Sequence, residues 1–155
     1  MKFQIQQDIE APIDFVFDQM TDFKAFERAA MRRGAEVQRV NEGTSGKIGT
    51  AWDAKFQMRG KEREIQFEVT EFDSPNRLVV SSRAPSMGGD MVVELMALSR
   101  NRTRVDTNVQ LAPKNLTTKL LIQSLKLARK NVTKRLSERM AAYAVEVETR
   151  FRKTA

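Results

Sequence analysis

Along residues 3 to 9, Phe3, Ile5 and Ile9 alternate with Gln4, Gln6 and Asp8, the period-two pattern of a half-buried strand, with Gln7 the one polar residue facing inward. Glu10-Ala11-Pro12 stops this strand, and Pro12 suits the first position of a short helix carrying Ile13, Val16, Phe17 and Met20 on one face. A second helix is predicted from Phe23 to Arg33, with Phe23, Phe26 and Ala30 on one stripe and Gly34 closing it in the left-handed conformation.

From Ala35 to Leu111 the pattern is one of strands and turns. Glu36 to Val40 reads as a strand, and Gly43, Ser45, Gly46 and Gly49 form a loop. Trp52, Ala54, Phe56 and Met58 then alternate with Asp53, Lys55, Gln57 and Arg59. Arg63, Ile65, Phe67 and Val69 alternate with Glu62, Glu64, Gln66 and Glu68. The two apolar sets have opposite parity, so residues opposed in a hairpin must have numbers of odd sum, as a two-residue type II′ loop at Gly60-Lys61 provides. Three further strands are predicted at about Arg77 to Arg83, Met91 to Leu98 and Thr103 to Leu111. Asp73 to Asn76, Pro85 to Asp90 and Asn101 are the turns between them. The last segment, about Asn115 to Phe151, has no Gly or Pro and reads as one long helix. Leu121, Leu125, Ala128, Val132, Leu136, Met140, Tyr143, Val147 and Phe151 form its apolar stripe, with Lys119, Lys126, Lys130 and Lys134 on the far side.

Composition narrows the chemistry. The 155 residues suit a single domain, 1–155, with no internal repeat or linker, and 41% hydrophobic with 30% charged residues is close to a globular average. The chain has no Cys and no His, so disulfides and thiolate or imidazole metal sites are excluded, as are the usual general base near neutral pH and the Cys nucleophile. No metal site and no cofactor is expected. The spacing of Gly43, Gly46 and Gly49 fits no dinucleotide fingerprint, and Gly46-Lys47-Ile48 lacks the spacing and hydroxyl of a phosphate-binding loop. The polar N-terminus has no secretory pattern and the longest apolar run, Met140 to Val145, is too short to span a bilayer, so a cytoplasmic protein is expected.

The order of one strand, two short helices, six strands and a long helix, with Ala11-Pro12-Ile13-Asp14-Phe15-Val16-Phe17-Asp18-Gln19-Met20-Thr21-Asp22-Phe23 joining the first strand to the helices, resembles the START-like superfamily. That group includes the Bet v 1 allergens, lipid-transfer START domains and polyketide cyclase or dehydrase-like proteins. Many relatives have Trp where this chain has Phe17. The resemblance implies an α+β helix-grip fold, in which a curved seven-stranded antiparallel sheet wraps the C-terminal helix around an apolar cavity. It also implies a hydrophobic ligand such as a lipid, quinone or polyketide. Fold alone does not separate binding from catalysis. The leading expectation is sequestration or transport, the alternatives a cyclase- or dehydrase-like enzyme using the same cavity and a protein-interaction module.

The residues themselves offer Trp52, Phe56, Met58, Ile65, Phe67 and the facing Leu121, Leu125 and Val132 as candidate ligand contacts, although the same residue types fill ordinary cores. Arg63 shares their side of the hairpin; it either meets a ligand carboxylate or Glu94 at the cavity mouth, or extends its stem to solvent. Asp53, Glu62, Glu64 and Glu68 fall on the opposite face beside Lys55 and Arg59, where surface pairing accounts for them without catalysis. Glu94 lies in a strand apolar on both sides, so its direction is open. Tyr143 sits on the helix stripe, where its hydroxyl needs a partner. No residue is assigned a catalytic role. Residues 114 to 155 carry eleven Lys plus Arg against three Glu, a net of +8, and residues 1 to 113 a net of −1. The tail aromatics, Tyr143 and Phe151, fall on the core stripe, so a solvated basic face is expected rather than a site for nucleic acid or a membrane surface.

Overall fold

The computed structural model describes residues 1–43, 47–58 and 60–154. The loop positions Ser45 and Gly46 and the outward position of Arg59 lie outside them. The elements are β1 (Lys2–Ile9), α1 (Ile13–Met20), α2 (Phe23–Arg32), β2 (Glu36–Glu42), β3 (Thr50–Met58), β4 (Lys61–Asp73), β5 (Arg77–Arg83), β6 (Met87–Ser99), β7 (Arg102–Pro113), α3 (Leu116–Leu127) and α4 (Arg129–Thr154). All seven strands form one antiparallel sheet in the order β1-β7-β6-β5-β4-β3-β2. Irregularities at Arg39/Asn41, Val69/Glu71 and Ala97/Ser99 accentuate its twist. This is the α+β helix-grip arrangement.

Alternation decides which strand face turns inward. Phe3, Ile5 and Ile9 of β1 are buried while Lys2, Gln4 and Gln6 are exposed. In the β3–β4 hairpin Trp52 opposes Phe67, Ala54 opposes Ile65 and Phe56 opposes Arg63, pairs of odd sum. The last pair is Met58 with Lys61, so Lys61 is already a strand residue and the connection lies one residue earlier than the pattern predicts. Gly60, at φ +75°, directly precedes that strand residue rather than opening a loop with it. Parity fixes the sum only as odd; which odd sum is realised depends on the turn.

Two predicted boundaries move. Gly88, Gly89 and Asp90 are strand residues of β6 rather than a loop, paired with Arg83, Ser82 and Ser81 on one side and Ala112, Leu111 and Gln110 on the other. Glycine here marks close backbone approach, since a Cβ on Gly89 would sit 2.7 Å from the Gln110 carbonyl oxygen. The long helix is two helices: Asn115 caps α3 by accepting from the Thr118 amide at 2.8 Å, and at Ala128 (φ −96°, ψ 10°) the backbone leaves the α-helical path before α4 begins. That break resets the stripe. In α3 the buried residues are Thr118 and Ile122, whereas Leu121 is exposed.

The filled core lies where α1 wedges between the sheet and α4. Val16, Phe17, Val69, Val105 and Val147 are essentially inaccessible, and Phe17 meets Phe72 edge-on at 5.3 Å. Thr103 donates to the Ala11 carbonyl at 2.8 Å, tying β7 to the entry of α1. No helix among the described residues is long and apolar enough to cross a membrane.

Candidate ligand-binding cavity

Beside this core the sheet and helices border a partly open pocket of about 650 Å³, within the ~300–1,000 Å³ range of small-molecule sites. Its floor is the inward face of the sheet, including Trp52, Ala54, Phe56, Phe67, Leu78, Val80, Met91 and Val93. Met20, Phe23, Phe26 and Ala30 come from α1 and α2, and Leu136, Met140 and Tyr143 from α4. The wall is almost entirely apolar because every contributing strand presents alternate residues to it and α4 presents residues three or four apart.

Of the sequence candidates, Trp52, Phe56 and Phe67 lie together in this wall. Met58, Arg63, Ile65, Leu121, Leu125 and Val132 do not. Met58 and Arg63 share the inward parity but sit at the end of the hairpin, where both are exposed, and Ile65 beside them is half-buried. Arg63 thus extends to solvent. Leu121 is turned out by the break at Ala128, and Leu125 and Val132 are half-buried beside that break. Glu94 points outward between buried Val93 and Leu95, where Arg77 holds it at 3.1 Å. Asp53, Glu62, Glu64 and Glu68 are exposed, and Lys55 pairs with Glu64 at 3.6 Å.

Among the described residues, four polar side chains interrupt the wall: Glu27, Thr107, Arg139 and Tyr143. Glu27 accepts from the Trp52 indole N–H and the Arg39 Nε, each at 2.8 Å, and so ties α2 to β2 and β3. Phe23 stands edge-on to the same indole at 5.0 Å. Burial raises the Glu27 pKa, but the hydrogen bonds from Trp52 and Arg39 and the charge of Arg39 outweigh it and hold the carboxyl below its ordinary value. The hydroxyls of Thr107 and Tyr143 are buried without a hydrogen-bond partner among the described residues. Burial pushes the Tyr143 phenol up to about 12. Arg139 is exposed and makes no ion pair among the described residues.

Glu27 was legible one step beyond the predicted α2 stripe, since it follows Phe23 by four residues and shares its face. Thr107 shares the inward parity of Val105 and Val109 in β7. The Arg39 partnership had no signal in sequence, because strand parity does not say which helix crosses the strand.

No family model matches the chain, and no curated protein matches it. Solved structures do. The Zhui aromatase/cyclase from Streptomyces sp. R1128 superposes with a TM-score of 0.65 at 15% identity, covering 97% of this chain and 94% of that one. A START superfamily protein from Mycobacterium smegmatis gives 0.59 at 10% identity, over 88% and 97%. The chain has the START-like fold. PFC0360w, an HSP90 activator from Plasmodium falciparum, is also similar, at TM-score 0.52 and 20% identity over 76% and 78%. Structures similar to this chain thus include proteins as different as an aromatase/cyclase and an HSP90 activator, and the pocket must carry the functional argument.

Proposed function

We propose that this chain binds a hydrophobic small molecule in the cavity between sheet and α4, to sequester or carry it. The observation that carries the reading is the 650 Å³ apolar space itself, flanked by a core that is otherwise closely filled. A ligand would remove its apolar surface from water at ~25 cal/mol per Å². Polar atoms on it would meet the otherwise unpartnered Thr107 and Tyr143 hydroxyls. Catalysis would need an acid, a base or oxyanion donors converging on one reacting atom. The only carboxylate in the wall among the described residues, Glu27, is already committed to Arg39 and Trp52, which favours binding over the cyclase-like alternative.

The test is a titration with an apolar fluorescent probe. Stoichiometric, saturable uptake is expected, and Phe56→Arg, which places a cation in the wall, is expected to abolish it while the variant stays folded. Absence of uptake by the folded wild type at saturating probe would refute the reading.

A further inference from the structure

Helix α3 is apolar on two sides. At about 100° per residue, Thr118, Ile122 and Leu125 share the side packed against the body of the protein. Leu116, Leu120 and Leu127 lie within about 40° of one another on nearly the opposite side. These three are 71%, 56% and 92% exposed. Lys119 and Lys126 border one edge of this outer leucine row. Between Lys114 and Ser137 the chain has seven cations, Lys114, Lys119, Lys126, Arg129, Lys130, Lys134 and Arg135, and no acid. None of the seven forms an ion pair among the described residues; Lys114 and Arg129 donate only to the carbonyls of Ala84 and Lys2.

We infer that α3 docks on an anionic phospholipid bilayer, the outer leucines entering the headgroup boundary while the flanking cations meet lipid phosphates. An outward leucine row bordered by unpaired lysines is the pattern of an interfacial helix. Charge selects this occupant over the others. A second copy of the chain would bring seven cations onto seven, and nucleic acid would meet the charges but leave the leucines in water. The inference goes beyond ligand binding and does not depend on it. It replaces the expectation of a solvated basic face, which rested on the tail aromatics Tyr143 and Phe151 lying on the core stripe and took no account of the outer leucines.

Sedimentation with phosphatidylcholine vesicles, with and without phosphatidylglycerol, tests it. The wild type is expected to bind the anionic vesicles at low salt, to bind neutral ones weakly, and to be released as salt rises. The triple variant Leu116→Ser, Leu120→Ser, Leu127→Ser keeps the net charge and touches only exposed positions; its partitioning should fall about tenfold or more, with melting unchanged. Failure of the wild type to bind anionic vesicles would overturn the inference. So would equal binding by the triple variant, which would mean diffuse charge attraction, or a concentration-dependent dimer that the variant abolishes without any vesicle binding.

Discussion

Replacing Glu27 by Leu removes the one acceptor shared by Arg39 and Trp52. The side chains of Glu27 and Arg39 are only 18% and 19% exposed, so the loss lies between that of a surface ion pair, under about 1 kcal/mol, and that of a broken buried one, about 3–5 kcal/mol. About 2 kcal/mol is expected, most of it from leaving the indole N–H without an acceptor and the guanidinium with only the exposed Glu42, at 3.3 Å, to meet. Glu27→Gln keeps a neutral acceptor and should cost about half as much. Urea denaturation followed by the emission of Trp52, the single tryptophan, measures both variants. The sign of the pH dependence follows from the carboxyl being held below its ordinary value of 4.5. Its contribution is present above pH 4.5 and lost as pH falls through the lower folded value, so the gap between wild type and Glu27→Gln should close in acid. A Glu27→Leu variant within about 0.5 kcal/mol of wild type, with unchanged emission, would refute the idea that this carboxylate clamps α2 to the sheet.

Phe17→Ala should cost about 3–5 kcal/mol by calorimetry or denaturant, because the ring is essentially inaccessible and packed on Phe72; a small loss would mean that the α1 wedge is not part of the cooperative core. Gly89→Ala should cost about 1–3 kcal/mol, since the added carbon meets a carbonyl of the neighbouring strand, and a neutral effect would show that β6 yields there. Thr107→Val should stabilise the unliganded protein by about 1 kcal/mol by removing an unpartnered buried hydroxyl; destabilisation would reveal a partner for it. Tyr143, the single tyrosine, should titrate near 12 in an ultraviolet-monitored alkaline titration. Because its folded pKa is raised, its contribution is intact below pH 10 and lost as pH rises towards 12.

The sheet was readable because β1, β3 and β4 alternate and turn residues bound the other strands, and parity alone tells which side of Trp52, Phe56 and Phe67 turns inward. Parity does not tell how far along a strand the helices reach. Phe67 is therefore in the cavity wall while Arg63, four residues earlier on the same face, is in solvent. The glycines at 88 and 89 were misread for a related reason: in one sequence a turn glycine and a glycine squeezed between two strands look alike. In α3, six apolar residues among twelve permit more than one stripe. Extending the phase of α4 backwards chose Leu121, whereas the break at Ala128 turns Ile122 inward and leaves Leu116, Leu120 and Leu127 outside.

The central claim is that the space between sheet and α4 holds a hydrophobic molecule. Native mass spectrometry after exposure to a cellular lipid extract addresses it directly, with Phe56→Arg as the comparison. The account predicts a one-to-one adduct on the wild type that dissociates to a hydrophobic small molecule and is missing from the folded variant. A wild type that remains bare, or an adduct retained equally by Phe56→Arg, would contradict it.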